Sequence, residues 1–126
     1  MFSLFSKKED TSVFNWDQVI NQAELKEILS SSAFSRTPIL FFKHSSRCGI
    51  SRMILSRFQE KYAEILDEVP CYLINVLDQR DISNFLASNF AITHESPQLL
   101  LVSGDNCLAN ASHNDILNLP LQEFSK

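Results

Sequence analysis

The run Phe42-Lys-His-Ser-Ser-Arg-Cys-Gly-Ile-Ser-Arg-Met53 holds the residues best suited to chemistry. In it Cys48 stands between an apolar stretch and the first residues of a helical pattern. The first-turn N–H groups of a helix have no intrahelical partner, and its dipole places partial positive charge there, so both favour a thiolate on Cys48. A thiolate is the attacking species of thiol–disulfide exchange. Arg47 and Arg52 flank the cysteine and add to the effect if their guanidinium groups lie within several ångströms. Two readings of Ser51 stand side by side, an ordinary first-turn residue and a hydrogen-bond donor to the thiolate. Cys71 and Cys107 lie in apolar runs and read as inert, core-forming thiols. None of the three cysteines has CxxC or CxxH spacing, so neither a zinc site nor a disulfide framework is expected.

His44, His94 and His113 come from three separate segments that can converge at one end of a sheet. Convergence would suggest a metal site or a general base, but no paired ligand spacing supports a metal. His113 is the best functional candidate of the three, because counting back along a hairpin from Pro97 returns it to the Cys48 end. A solvated loop histidine is the competing reading. Lys43, at the end of its apolar run, is expected to hold its charge in solvent, the competing reading being a charge that favours the thiolate.

The elements that must position these residues can be read from periodicity. Residues 1–15 carry mixed charge and no period, and read as a mobile arm leading to Trp16 at the edge of a domain spanning 16–126. Asn21 with Glu24 three residues on has the form of a helix N-terminus, and Leu25, Ile28 and Leu29 then share a face; the stretch from Ser30 to Arg36 ends that helix. Pro38-Ile-Leu-Phe-Phe-Lys43 suits a strand buried on both faces. From Gly49 onward Ile50, Met53, Ile54, Phe58 and Ile65 recur at helical spacing, with Arg52, Arg57 and Lys61 opposite. Pro70-Cys-Tyr-Leu-Ile-Asn-Val76 reads as a second strand, parallel to the first through the helix between them. A helix over residues 81–90 follows, with Ile82, Phe85, Leu86 and Phe90 inward. Gln98-Leu-Leu-Leu-Val102 and residues 107–111 form a hairpin around Ser103-Gly-Asp-Asn106. Residues 119–124 suit one short, weak helix. A parallel βαβ half joined to an antiparallel hairpin half is the α/β, thioredoxin-like arrangement: a four-stranded mixed sheet flanked by helices.

Cys48-Gly49-Ile50-Ser51 resembles a thioredoxin-type site whose second cysteine is replaced. The loop His94-Glu-Ser-Pro-Gln98 is similar to the one in which that superfamily carries a cis-proline facing the cysteine, and Pro97 fits the role, with Ser96 before it. Together with Ala111-Ser112-His113, these motifs resemble the monothiol bacilliredoxin, or bacillithiol-system YtxJ-like, family over about residues 16–117. The resemblance implies a monothiol oxidoreductase in which Cys48 reduces mixed disulfides between proteins and a low-molecular-weight thiol such as bacillithiol. It implies S-thiolated client proteins as partners, the small thiol as co-substrate and no further cofactor. Arg47, Gly49, Ile50, Ser51, Arg52, Ser96, Pro97 and His113 are then the residues that stabilise the thiolate or bind substrate. The family often has proline after the cysteine where this chain has Gly49.

Two other functions stay open. Cys48-Gly-Ile-Ser51 is close to the Cys-Gly-Phe-Ser motif of iron–sulfur-binding monothiol glutaredoxins, although those resemble one another in a Gly-Gly pair and this chain has only Gly49 and Gly104. The fold could also serve as a stress-response or binding module whose thiol is merely capped. A net charge of -4 and a pI near 5.3 argue against a nucleic-acid surface. No apolar stretch approaches the roughly 20 residues that cross a bilayer, and the start of the chain lacks a secretory pattern, so a cytoplasmic, monomeric protein is expected.

Overall fold

Ile39–His44 (β1) is buried at all six positions, which requires cover on both faces. It runs parallel to Cys71–Asn75 (β2) and antiparallel to Gln98–Ser103 (β3), and β3 pairs in turn with Asn106–Ser112 (β4), giving the order β2-β1-β3-β4. Alternation along β1 sorts its side chains. Leu40 and Phe42 join one core layer with Ile54 and Phe58 of the helix Gly49–Lys61, while Ile39 and Phe41 join the other with Leu25, Leu29, Ile82 and Leu86. Those last four belong to the helices Gln22–Ser35 (α1) and Arg80–Phe90. In chain order Gly49–Lys61 is α2, the one-turn Ala63–Leu66 is α3 and Arg80–Phe90 is α4. The chain thus has the mixed four-stranded sheet between helices that its periodicity implied.

The computed structural model describes residues 14–124. The expected N-terminal arm lies outside that range except for Phe14 and Asn15. Phe14 meets Trp16 edge-on with ring centroids 5.1 Å apart, and Trp16 lies nearly parallel to the Phe58 ring. Asp17 pairs with the outer edge of β2 through Tyr72.

Local chemistry explains the element ends. Asn21 caps α1, accepting the Glu24 N–H at 2.9 Å, and the Glu24 carboxylate accepts the Ile20 N–H in return. α1 continues through the serine-rich stretch to Ser35 and stops at Arg36, whose φ of 59° is left-handed. Buried Ser32 ties this end down, donating to Thr37 O at 2.5 Å and accepting the Gly104 N–H at 3.3 Å. Gly104, at φ +60° in the β3–β4 turn, sits so close to α1 that a Cβ there would lie 2.9 Å from the Ala33 Cβ.

Two departures from the periodicity concern the inner face of α2 and the C-terminal segment. Ser51, Ile54 and Phe58 are the buried α2 residues, whereas Ile50 is 64% and Met53 40% exposed. The apolar pattern is wider than the buried stripe. After β4 there are two 3-10 turns, His113–Asn118 and Leu121–Phe124, rather than one short helix. Each buries one residue, Ile116 and Leu121, so neither shows a repeating apolar period in the sequence. Among the described residues no helix is long and apolar enough to cross a membrane.

Candidate functional site

β1 delivers the chain to a tight turn at residues 45–48. Cys48 is the N-cap of α2, in extended conformation (φ -101°, ψ 119°) and exposed, with no side-chain capping bond. Its N–H donates to Ser45 O at 3.1 Å and its carbonyl accepts the Arg52 N–H at 3.0 Å, so both neighbours fix the backbone while the sulfur stays in solvent. Buried Ser51 accepts the Ser45 N–H at 3.0 Å, which leaves its own hydroxyl proton available to donate. Arg52 Nη1 donates to Ser46 O at 2.9 Å, and a Cβ on Gly49 would find Arg52 Nη2 as its neighbour at 3.8 Å. This guanidinium lies folded back over the turn. Asn75 at the end of β2 donates to Ser46 Oγ at 3.0 Å, anchoring the turn from the other side. Arg47, Gly49 and Ile50 are exposed beside the thiol.

A second segment, residues 93–97, meets this end of the sheet. The antiparallel register pairs Lys43 with Gln98, so β3 begins where β1 finishes, and the pairing of Gln98 with Ser112 brings His113 to the same place. The Ser96–Pro97 bond is cis, as the resemblance implied. Pro97 O accepts the His113 N–H at 3.0 Å, and His113 adopts φ 57°, a conformation that costs a non-glycine residue energy. The His113 ring, exposed, stands 3.8 Å from Glu95 Oε1. Ser96 Oγ is buried with no hydrogen-bond partner. All nine residues singled out in the sequence therefore lie at one end: Arg47 to Arg52 as a continuous turn and helix start, and Ser96, Pro97 and His113 across from it.

The three histidines share this end without forming a cluster. His44 is buried, and burial pushes its pKa down. His94 Nδ1 lies 2.7 Å from Ser83 Oγ; its pKa is lowered by burial first and then by the nearby Lys43 and Arg80 charges, against an opposing pull from Glu95. Among the described residues no group of His, Cys, Asp and Glu could hold a metal ion.

Lys43 corrects the sequence reading. It is fully buried, not solvated, because the strand continues one residue past it and its side chain follows Ile39 and Phe41 onto the face covered by α1 and α4. Its Nζ donates to Ser83 O at 3.0 Å, and desolvation lowers its pKa to about 8. The sequence also gave no sign of Gln98. It is buried, its Nε2 donates to Thr93 O at 2.8 Å and Ser112 Oγ at 3.3 Å, and its Oε1 has no partner. Only the strand register, which a single sequence does not display, could have put these two polar residues side by side.

The other cysteines sit far from this end. Cys71 pairs with Leu40 near the start of β1, and Cys107 pairs with Val102, itself opposite Ile39. Four residues of strand separate Leu40 from His44, about 13 Å, beyond the roughly 7 Å that a disulfide tolerates between Cα atoms. Cys71 is buried and donates toward Val69 O, and burial first, then Asp17 and Asp67, pushes its pKa up to about 12. Burial also raises the pKa of half-buried Cys107. All three thiols are free.

An exposed cysteine capping the helix after a buried central strand, opposite a cis-proline loop, defines the thioredoxin-fold thiol oxidoreductases. Solved structures agree on the fold. A putative oxidoreductase with a thioredoxin fold is 22% identical, with a TM-score of 0.70 over 86% of this chain and 92% of the other. Thioredoxin O2 from Arabidopsis thaliana in its oxidised state is 20% identical, with a TM-score of 0.63 over 88% and 95%. Malassezia sympodialis thioredoxin is 14% identical, with a TM-score of 0.64 over 87% of each chain. The family is more specific: residues 17–121 match the model of the monothiol bacilliredoxin BrxC, and the chain belongs to that family.

Proposed function

We propose that this protein is a monothiol oxidoreductase that reduces mixed disulfides between proteins and a low-molecular-weight thiol of the bacillithiol kind, with Cys48 as the attacking residue. The observation that carries this reading is an exposed thiol on the N-cap residue of α2 with no second cysteine at its end of the sheet. In the first step the Cys48 thiolate attacks the small-thiol sulfur of the mixed disulfide. A bond forms between Cys48 Sγ and that sulfur, the old S–S bond breaks, and the client leaves as a thiolate that takes a proton from water. In the second step another small thiol attacks the Cys48 adduct, releasing the symmetrical disulfide and restoring the thiolate. The electron pair moves between sulfurs throughout, so the reaction needs no cofactor.

The roles follow from position. Cys48 attacks from the α2 N-terminus, in a turn that Arg52 and Ser51 hold through Ser46 O and the Ser45 N–H. Arg47 offers an exposed cation to an anionic small thiol, and Gly49 and Ile50 present a low apolar rim to the client. Ser96, Pro97 and His113 form the opposite wall. We place this activity in the cytoplasm, with S-thiolated proteins as partners and the protein acting as a monomer.

The test is turnover of a bacillithiolated peptide, with excess bacillithiol, by wild type and by Cys48→Ser. Multiple turnovers by wild type and a loss of about a thousandfold or more in Cys48→Ser are expected, as for removal of a nucleophile. One equivalent of adduct on wild-type Cys48 without turnover would instead show a capped, non-enzymatic thiol.

A further inference from the structure

A lysine ammonium inside a sheet domain is costly unless a carboxylate or several acceptors compensate for lost water. Among the described residues Lys43 has neither: desolvation lowers its pKa, and its hydrogen bond goes to one neutral carbonyl, Ser83 O at 3.0 Å. A methionine would fill the same space without that cost, so the nitrogen must serve something other than packing.

What it serves is visible in the residues around it. Ser83, itself fully buried in α4, passes the connection on: its hydroxyl is 2.7 Å from His94 Nδ1. Lys43 also lies opposite Gln98 across the β1–β3 pair, and directly opposed residues share a face of the sheet. Gln98 holds Thr93 O at 2.8 Å, and the His113 N–H holds Pro97 O at 3.0 Å. The 93–97 segment is thus pinned at Thr93, at the His94 ring and at Pro97, with Glu95 and Ser96 between those anchors at the Cys48 end of the sheet.

We propose that Lys43 is a positioning residue for the thiol exchange: from within the sheet it fixes Ser83 and, through Ser83, the His94 anchor of the 93–97 wall on which the disulfide substrate docks. This rests on the reading of Cys48 as the exchanging thiol. Lys43 itself touches neither substrate nor sulfur; it lies on the opposite face of the sheet from α2, the helix that Cys48 caps. The prediction is accordingly a docking defect with an intact nucleophile. The charged groups facing His94 are Lys43 from β1, Arg80 from α4 and Glu95 from its own loop, and the two cations both lower its pKa.

Lys43→Met, which keeps the stem and removes the nitrogen, tests this with three readouts. KM for a bacillithiolated peptide should rise about five- to tenfold with kcat within about twofold, the pattern of lost binding rather than lost chemistry. Alkylation of Cys48 by iodoacetamide should keep the wild-type rate. The His94 ring, followed by NMR against pH, should titrate higher than in wild type, because a cation that disfavours its protonation is gone. His94→Ala should give the same KM rise, and the double variant no further rise, since both cut one chain of contacts. An unchanged KM in Lys43→Met beside an active wild type would overturn the proposal, as would a fall in alkylation rate matching the fall in exchange. Absence of exchange by wild type would sink the reading of Cys48 itself; the coupling is then decided by His94, and an unmoved His94 titration would end it.

Discussion

The two ends of the central sheet carry the same side chain, a cysteine thiol, in opposite states. Where β1 begins, Cys71 is buried beside Leu40, with its proton directed at a carbonyl and its pKa pushed up to about 12. Where β1 finishes, Cys48 stands in solvent on a helix N-terminus. The surroundings differ in kind as well. The far end is closed by close contact, Gly104 against Ala33, with its buried Ser32 hydroxyl hydrogen-bonded, while the Cys48 end gathers the buried Lys43, His44 and Gln98 and three buried polar atoms without partners among the described residues. Burial without compensation is thus concentrated where the thiol is exposed, the pattern expected when a site is held at some expense of stability.

The comparison can be broken at the far end first. Gly104→Ala puts a side chain on a left-handed residue and drives a Cβ into Ala33, so a stability loss of about 2–3 kcal/mol is expected by urea denaturation. At a temperature where the variant stays folded, its exchange rate should equal that of wild type. A rate loss larger than the unfolded fraction would show that the two ends are not independent.

The next effect belongs to Lys43. Unfolded lysine keeps its proton to about pH 10.4, whereas the folded residue keeps it only to about 8. Between those values the unfolded state binds more protons, so this residue makes stability rise with pH, by on the order of 1–3 kcal/mol across the window. Cys71 acts in the other direction above about pH 9, because its unfolded thiol ionises while the folded one stays protonated. The informative quantity is therefore the difference between wild type and Lys43→Met in urea midpoints from pH 7.5 to 10. It should favour the variant at the lower pH and shrink as pH rises; a constant difference would mean that Lys43 is not desolvated.

The smallest effect sharpens the Cys48 end. Gly49 is the first residue of α2, and Cys48 at φ -101°, ψ 119° already has the extended conformation required before proline. Gly49→Pro should raise stability by about 0.4–1 kcal/mol through the unfolded chain. A drop in melting temperature would show that the turn depends on the glycine.

The thiol site was legible in the sequence because its parts are local. An apolar run, a cysteine and a helical period occur within Phe42 to Met53, Pro97 follows from the resemblance of its loop, and His113 from counting along the hairpin from Pro97. The polar residues behind it were not. Lys43 reads as a strand end because nothing local shows that β1 extends through His44, and Gln98 reads as one more strand position until register sets it opposite Lys43. Ile50 and Met53 misled differently: apolar spacing marks which residues can face a core, while tertiary packing decides which do.

Trp16 has a use beyond packing. It is the only tryptophan in the chain, and its indole donates to Gln59 Oε1 at 2.6 Å while its ring lies 5.9 Å from Phe42 and 6.5 Å from Phe58. Those neighbours belong to the strand that leads to Cys48 and the helix that Cys48 caps. The protein therefore carries an intrinsic fluorophore at the joint between them, and its emission wavelength reports without any label whether that strand and helix are still docked.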